Sequence, residues 1–189
     1  MIYLVRHGES EWNLARLIQG QISYPRLTRL GRRQAHTAAL AVDADAGFGV
    51  TSVVTSDLVR AVQTGMIVAG ALGAALRVDR RWREQAFGQL EGLDYEASAL
   101  ALATAPDMIA IGGESDSEVA GRAVAALGDL NPSAATVVVT HGDTIRCLLT
   151  HLGIMVGCEL VPNGAVIALD AFPGYPTCRL VDNTVVAVD

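Results

Sequence analysis

The sequence predicts an α/β fold, a three-layer α/β/α sandwich around a mainly parallel central sheet. Three observations carry that reading. Short apolar, β-prone runs alternate with helix-length segments along the chain. Two of those runs, Ile2–Val5 and Thr136–Thr140, are too uniformly apolar to leave one face in water, as in strands covered on both sides. Both also end in His-Gly, at His7-Gly8 and His141-Gly142, each just before a helix start.

The elements follow in order. After strand Ile2–Val5, Glu11–Arg16 is a short helix with Ser10 as its cap. Gln19–Thr28, with Gly20 and Pro25, reads as a loop. A helix opens at Thr28-Arg29 and runs to about Val42, with Ala35, Ala38, Ala39 and Val42 as a stripe of small apolar residues. Ser52–Thr55 is a second strand, and Ser56-Asp57 caps a helix to about Leu72 whose Leu58, Val62, Met66 and Ala69 form the apolar face. Arg77–Asp79 is a brief edge strand, and the aperiodic, glycine-punctuated Trp82–Leu93 is a loop. Tyr95–Ala105 is a helix stopped before Pro106, Ile111–Gly113 a turn, and Glu114–Leu130 a helix begun by Ser115 or Ser117. Beyond strand Thr136–Thr140, Asp143 is placed to cap helix Thr144–Leu152. Ala165–Asp170 and Cys178–Val181 are strands joined through Pro173, Gly174 and Pro176. With no linker or repeat in this order, residues 1–189 are expected to form one domain.

Composition narrows the function. With 51% hydrophobic and 18% charged residues, the 189-residue chain can bury a real core, which excludes disorder. No run reaches the ~20 apolar residues of a membrane span. A net charge of −6 without basic tracts argues against nucleic acid and membrane partners. Met1–Val5 is too short for an export signal and runs straight into Arg6. Cys147, Cys158 and Cys178 lack metal or redox spacing and read as buried or idle thiols, so a cytoplasmic location is expected. A monomer and a homodimer are both compatible with the sequence.

Ligands of open parallel sheets gather beyond the carboxyl ends of the strands. If the two His-Gly strands are neighbours, His7 and His141 face each other on one rim, beside helix-terminal N–H groups suited to an anion. Arg6 adds a planar fork for phosphate oxygens, and Arg60, one turn into the helix after Ser52–Thr55, reaches the same rim. This is what phosphoryl transfer through histidine requires. A neutral imidazole attacks, its other nitrogen fixed by a backbone bond, while Arg6, Arg60 and a protonated His141 offset the charge on the equatorial oxygens. No acidic ligand cluster is apparent, so neither a metal nor another cofactor is expected.

Six ordered segments carry a family resemblance. Leu4-Val5-Arg6-His7-Gly8-Glu9-Ser10 resembles the signature of the histidine phosphatase superfamily, the phosphoglycerate-mutase-like proteins. Leu27–Gly31 with Gln34-Ala35 resembles its LTxxGxxQA segment, and Ser56–Ala61 with Thr64 its SxLxRAxxT segment. Glu84, Phe87-Gly88 and Glu91-Gly92 resemble its ExxFGxxEG segment, Val138–Arg146 its second histidine motif, and Asn163-Gly164 the turn before its late strand. The resemblance implies that His7 becomes phosphohistidine, that Arg6, Arg60 and His141 form the phosphate pocket, and that Glu84 donates the proton. It also implies that Asn13, Gln19 and Gly20 line the pocket mouth and that the Gly142 N–H helps bind phosphate.

Each residue has a plainer reading beside this one. Glu84 competes with Glu9 and Glu91, and Arg80, Arg81 and Arg83 are near enough in sequence to make it an ion-pair partner. Asn13 is also a capping residue type. His36, His151, Trp12 and Trp82 read as structural, and Arg146 as an ion-pair buttress. Mutases of the superfamily carry Thr-Gly-Trp in the pocket loop and Glu-Arg-His-Tyr-Gly at the acid, whose cations hold a substrate carboxylate. Here Gln19-Gly20-Gln21 and Glu84-Gln85-Ala86-Phe87-Gly88 stand instead. The resemblance therefore implies a phosphatase acting on a small-molecule phosphomonoester, such as a sugar phosphate. Mutase-type transfer, protein dephosphorylation and a non-catalytic phosphate-binding module are the alternatives. Leu93–Gly113, rich in Ala and Leu and without Lys or Arg, is expected to cover the pocket and to suit an uncharged leaving group.

Overall fold

The first strand lies inside the sheet, and that placement builds the site. A computed structural model describes residues 1–47, 49–104, 107–154, 161–170 and 176–181. Strands β1 (Ile2–Arg6), β2 (Val50–Thr55), β3 (Ala75–Val78), β4 (Ala135–Thr140), β5 (Val166–Asp170) and β6 (Thr177–Val181) form one sheet in the order β3-β2-β4-β1-β5-β6. The pairs β3-β2, β2-β4 and β4-β1 are parallel, whereas β1-β5 and β5-β6 are antiparallel. The expected mainly parallel sheet thus has an antiparallel end. β1 and β4 run in register from Ile2↔Thr136 to Arg6↔Thr140, so their His-Gly ends emerge side by side.

The helices are α1 (Glu11–Leu14), α2 (Arg29–Ala46), α3 (Val59–Leu72), α4 (Tyr95–Thr104), α5 (Asp116–Gly128) and α6 (Gly142–His151). On one sheet face Tyr3, Val5, Val137 and Val139 meet Ala38, Ala39 and Val42 of α2 and Ala61, Val68 and Ala69 of α3. On the other, Leu4 and Val138 meet Ala123, Ala126 and Leu127 of α5 and Ile145, Leu148 and Leu149 of α6. Burial on both faces explains the unbroken apolar runs of β1 and β4, each buried Val or Leu contributing about 1.5–3 kcal/mol. The small stripe of α2 is buried as expected.

The capping expectations hold at α1 and α5 and change at α3 and α6. Ser10 forms a reciprocal capping box with Asn13, Thr28 accepts the Gly31 N–H, and Ser115 caps α5. α3, in contrast, starts after Leu58 without a side-chain cap. Ser56 Oγ accepts the Leu58 N–H, and Asp57 is drawn away by Arg83 at 2.6 Å. α6 starts at Gly142, with Asp143 inside its first turn and bonded to Arg146. The apolar face expected of α3 is also shifted: Met66 is 60% exposed, while Arg60 and Thr64 are buried with Ala61, Gly65 and Val68. Two polar site residues occupy the inward face, which a hydrophobic pattern cannot register.

The expected Trp82–Leu93 loop contains a 3₁₀ turn at Gly88–Leu90 and adjoins another at Arg80–Trp82. Cys147 is buried and Cys178 half-buried, both as free thiols. Ala105, Pro106, Cys158, Pro173 and Gly174 lie outside the described residues. Among the described residues no helix is long and apolar enough to cross a membrane.

Candidate active site

The site grows from the shared end of β1 and β4. The His7 N–H donates to the Thr140 carbonyl (2.9 Å), and the His7 and His141 rings sit 5.0 Å apart, tilted by 64°. His7 Nδ1 lies 2.7 Å from the Gly8 carbonyl, which accepts only if that nitrogen carries the proton. Nε2 therefore keeps its lone pair, toward which Arg60 Nε donates at 3.3 Å. Burial, then the charges of Arg60 and Arg6, hold the His7 pKa well below 6.5, so the ring is neutral at neutral pH.

Two close backbone approaches make this rim. A Cβ on Gly8 would fall 2.1 Å from the Gly31 carbonyl oxygen, and one on Gly31 would fall 2.0 Å from that of Glu9. The segment after β1 thus lies directly on the first turn of α2. The Gly8 N–H donates to Thr64 Oγ1 (3.2 Å), which donates to the Arg60 carbonyl (2.8 Å), tying the loop after His7 to the helix that carries Arg60.

Burial, then Arg60, His7 and Arg6, hold the His141 pKa well below 6.5, against the protonation expected of it beside a phosphoryl group. Its Nε2 lies 2.9 Å from Ser56 Oγ. Its Nδ1 and Arg6 Nε are buried without a partner among the described residues. Arg60 is 1% exposed; it donates to the carbonyls of Ile22 (2.8 Å) and Gly20 (2.7 Å), and burial lowers its pKa to about 10, still cationic. Arg6 donates to the Val161 carbonyl, and burial lowers its pKa as well.

Glu84 is no ion-pair partner of its arginine neighbours. Arg83 and Arg80 pair with Asp57, and Arg81 with Asp79 and Asp129. The Glu84 carboxyl instead caps α6 from outside the helix: Oε1 accepts N–H bonds from Gln85 (2.9 Å) and Thr144 (3.1 Å), and Oε2 a long one from Asp143 (3.4 Å). This is why α6 needs no cap from Asp143. Burial, reinforced by Asp143, raises the Glu84 pKa against the pull of the Gln85 N–H, Arg60 and Arg6. The competing acids have other roles. Glu9 accepts from Thr28 Oγ1, and Glu91 from the N–H groups of Gln21 and Phe87.

A cavity of about 200 Å³ gathers these groups, lined by Arg6, His7, Asn13, Gln19, Gly20, Arg60 and Glu84 together with Leu17, Ile18, Phe87, Tyr95 and Asp143. His141 joins through His7, and Gly142 through Arg6, whose guanidinium carbon would lie 3.3 Å from a Cβ placed there. Asn13 combines both readings, capping α1 while lining the cavity. Gln19 accepts from Ser10 Oγ at 2.7 Å, and Gly20 turns with a φ of +45° to aim its carbonyl at Arg60.

The cover differs from expectation. Among the described residues of Leu93–Gly113 only Tyr95 lines the cavity, and Leu17, Ile18 and Phe87 complete its apolar wall, while Leu100 and Leu102 face solvent. Arg146 bridges Asp116 and Asp143 as expected. Trp82 is in the core, Trp12 packs edge-on against Tyr24, and His36 and His151 are exposed. Sequence reasoning missed Ser56 behind His141 and Asn163, whose Nδ2 donates to the His7 carbonyl and to Asn13 Oδ1. Both lie in quoted segments, but as capping and turn residues. Among the described residues no cluster of three or more His, Cys, Asp or Glu side chains is placed to hold a metal.

Comparison with known proteins adds relatives to this geometry. The chain is 38% identical over 162 residues to the probable phosphoglycerate mutase GpmB of Yersinia enterocolitica, covering 80% of this chain and 74% of that protein. It resembles the solved mycobacterial glucosyl-3-phosphoglycerate phosphatase Rv2419c in complex with VO3, at 29% identity and a TM-score of 0.77 over 95% of this chain and 96% of that one. It also resembles TTHB049 of Thermus thermophilus, at 32% identity and a TM-score of 0.70 over 95% and 98%. The model of the histidine phosphatase superfamily (branch 1) matches residues 2–184, and the chain belongs to that superfamily.

Proposed function

We propose that the protein is a phosphomonoester hydrolase that works through a phosphohistidine at His7. The carrying observation is the pairing, across one small cavity, of a neutral His7 fixed through Nδ1 with a Glu84 carboxyl whose pKa is raised. His7 Nε2 attacks phosphorus, and the bond to the leaving oxygen breaks. Glu84 gives its proton to that oxygen. Glu84, now a carboxylate, takes a proton from water as the water oxygen attacks phosphorus, releasing phosphate and restoring both side chains. Arg6 and Arg60 offset charge on the equatorial oxygens. A bound dianion would also draw a proton onto the neutral His141 by supplying a counter-charge.

Hydrolysis is favoured over mutase transfer, although a relative carries a mutase name. A phosphoglycerate substrate needs a cation for its carboxylate. The cationic side chains lining the cavity are Arg6 and Arg60, and both face its phosphate end. Gln85 offers nothing either, being 3% exposed with its amide on the Glu114 carbonyl. The apolar wall of Leu17, Ile18, Phe87 and Tyr95 suits an uncharged alcohol, such as that of a sugar phosphate.

Two measurements test this. Substrate labelled in its phosphoryl group, quenched with denaturant during turnover, should leave an acid-labile, base-stable label that His7→Ala abolishes. Unchanged labelling of that variant refutes the assignment, and no label in either protein marks a binding module. Catalysis should also survive chelator, since the groups named supply every charge and proton. Activity lost with chelator and regained with Mg²⁺ or Zn²⁺ would overturn metal independence.

A further inference from the structure

We propose that Arg122 is a positioning residue that holds the backbone of Glu84 in place and couples it to the loop bound by Arg60. This rests on the assignment of Glu84 as the acid. Arg122, on α5, spends all five of its N–H donors inside the protein. Nη1 donates to the carbonyls of Arg81 (2.8 Å) and Arg83 (2.6 Å), and Nη2 to that of Glu84 (2.9 Å) and to Glu114 Oε2 (2.9 Å). Nε takes Glu114 Oε1 at 3.0 Å. A solvated helix charge would leave donors for water; here the planar fork is saturated.

The carbonyls it captures run from within the 3₁₀ turn Arg80–Trp82 to the acid itself. The neighbouring arginine side chains cannot substitute, since Arg81 and Arg83 are turned to Asp79 and Asp57. Glu114 extends the junction: its Oε2 also accepts from the Ala86 N–H (2.9 Å) and from Gln21 Nε2 (3.2 Å), and Gln21 Nε2 reaches the Glu84 carbonyl at 3.1 Å. Gln21 belongs to the loop whose Gly20 and Ile22 carbonyls receive Arg60. One guanidinium thus ties the proton donor to the phosphate end of the cavity. Because a misplacement of about 1 Å costs roughly 10²-fold in rate, this junction bears on catalysis without touching substrate.

The test compares enzyme phosphorylation by an alkyl phosphate, which needs a proton on its leaving oxygen, with that by p-nitrophenyl phosphate, which needs little. Arg122→Met should slow the alkyl reaction roughly 10–100-fold and the aryl reaction far less. Arg122→Lys should regain part of the alkyl rate. Added to Glu84→Gln, Arg122→Met should cost nothing more on the alkyl substrate, because it acts through Glu84. Equal losses on both substrates, or losses that multiply in the double variant, overturn the proposal and leave Arg122 a stabilising residue. Should Arg122→Met fail to show a cooperative melt, Arg122→Lys and Glu114→Gln carry the same comparison. If Glu84→Gln is itself unselective, the acid assignment falls and takes this one with it. A selective Glu84→Gln beside unselective Arg122 variants sinks Arg122 alone.

Discussion

The two oxygens of Glu84 are not equivalent. Oε1 accepts N–H bonds of 2.9 and 3.1 Å and Oε2 one of 3.4 Å, so in the proposed reaction Oε2 is the oxygen free to carry the proton. The proposed reaction needs His7 deprotonated and Glu84 protonated, the reverse of what their ordinary values of 6.5 and 4.5 favour. At those values only about one molecule in a hundred would hold that combination midway between them. Burial moves both in the useful direction, His7 down and Glu84 up. The profile of kcat/KM for an alkyl phosphate should rise as pH climbs past the lowered pKa of His7 and fall as it passes the raised pKa of Glu84. Glu84→Gln should erase the alkaline limb and cut alkyl phosphorylation by ~10²–10⁴-fold, with a much smaller loss on an aryl phosphate. An alkaline limb that persists in this variant would assign it to another group. His7, Arg6, Arg60 and Glu84 were legible because each sits in a distinctive local string. Arg122 was not, since in sequence it is one polar residue on an amphipathic helix, and its four partner residues are scattered from Arg81 to Glu114.

Among the elements, strands and helices were legible wherever burial follows a period. β1 and β4 announced themselves through continuous apolar runs, and α2 through its stripe of small residues. α3 misled because Arg60 and Thr64 face inward, and α6 because its cap comes from a residue about sixty positions earlier. The glycines separate propensity from packing. In α2, a methyl at Gly31 would meet the Glu9 carbonyl at 2.0 Å, whereas in α5 one at Gly121 meets nothing within 4 Å. Gly31→Ala should therefore destabilise by about 1–3 kcal/mol through forced backbone displacement. Gly121→Ala should stabilise by roughly 0.5–1 kcal/mol through helix propensity. Urea denaturation of the two variants checks the opposite signs, and a Gly31→Ala protein as stable as the parent would show that the loop after β1 yields easily.

Across the molecule, one buried and one half-buried arginine bear on stability. The hydrogen bonds of Arg6 and Arg60 go to main-chain carbonyls and His7 rather than to carboxylates. Inorganic phosphate should supply the missing counter-charge. At a hundred times its Kd it would add about 2.7 kcal/mol, a rise in Tm of about 5–10 °C for a chain of this length. Arg60→Met should lose that rise, and an equal rise in both proteins would place the ion elsewhere. The inner position of β1 has a further consequence, in time. Its neighbours β4 and β5 begin at Ala135 and Val166, so the chain's first strand waits for more than a hundred later residues before it can pair. At ribosomal speeds of about 5–20 residues per second, that wait is on the order of 10 s. During it β1 stays unpaired, its apolar residues uncovered. Closing so long a loop also makes slow folding the expectation. The pairing that sets His7 beside His141 can form only after β4 has emerged.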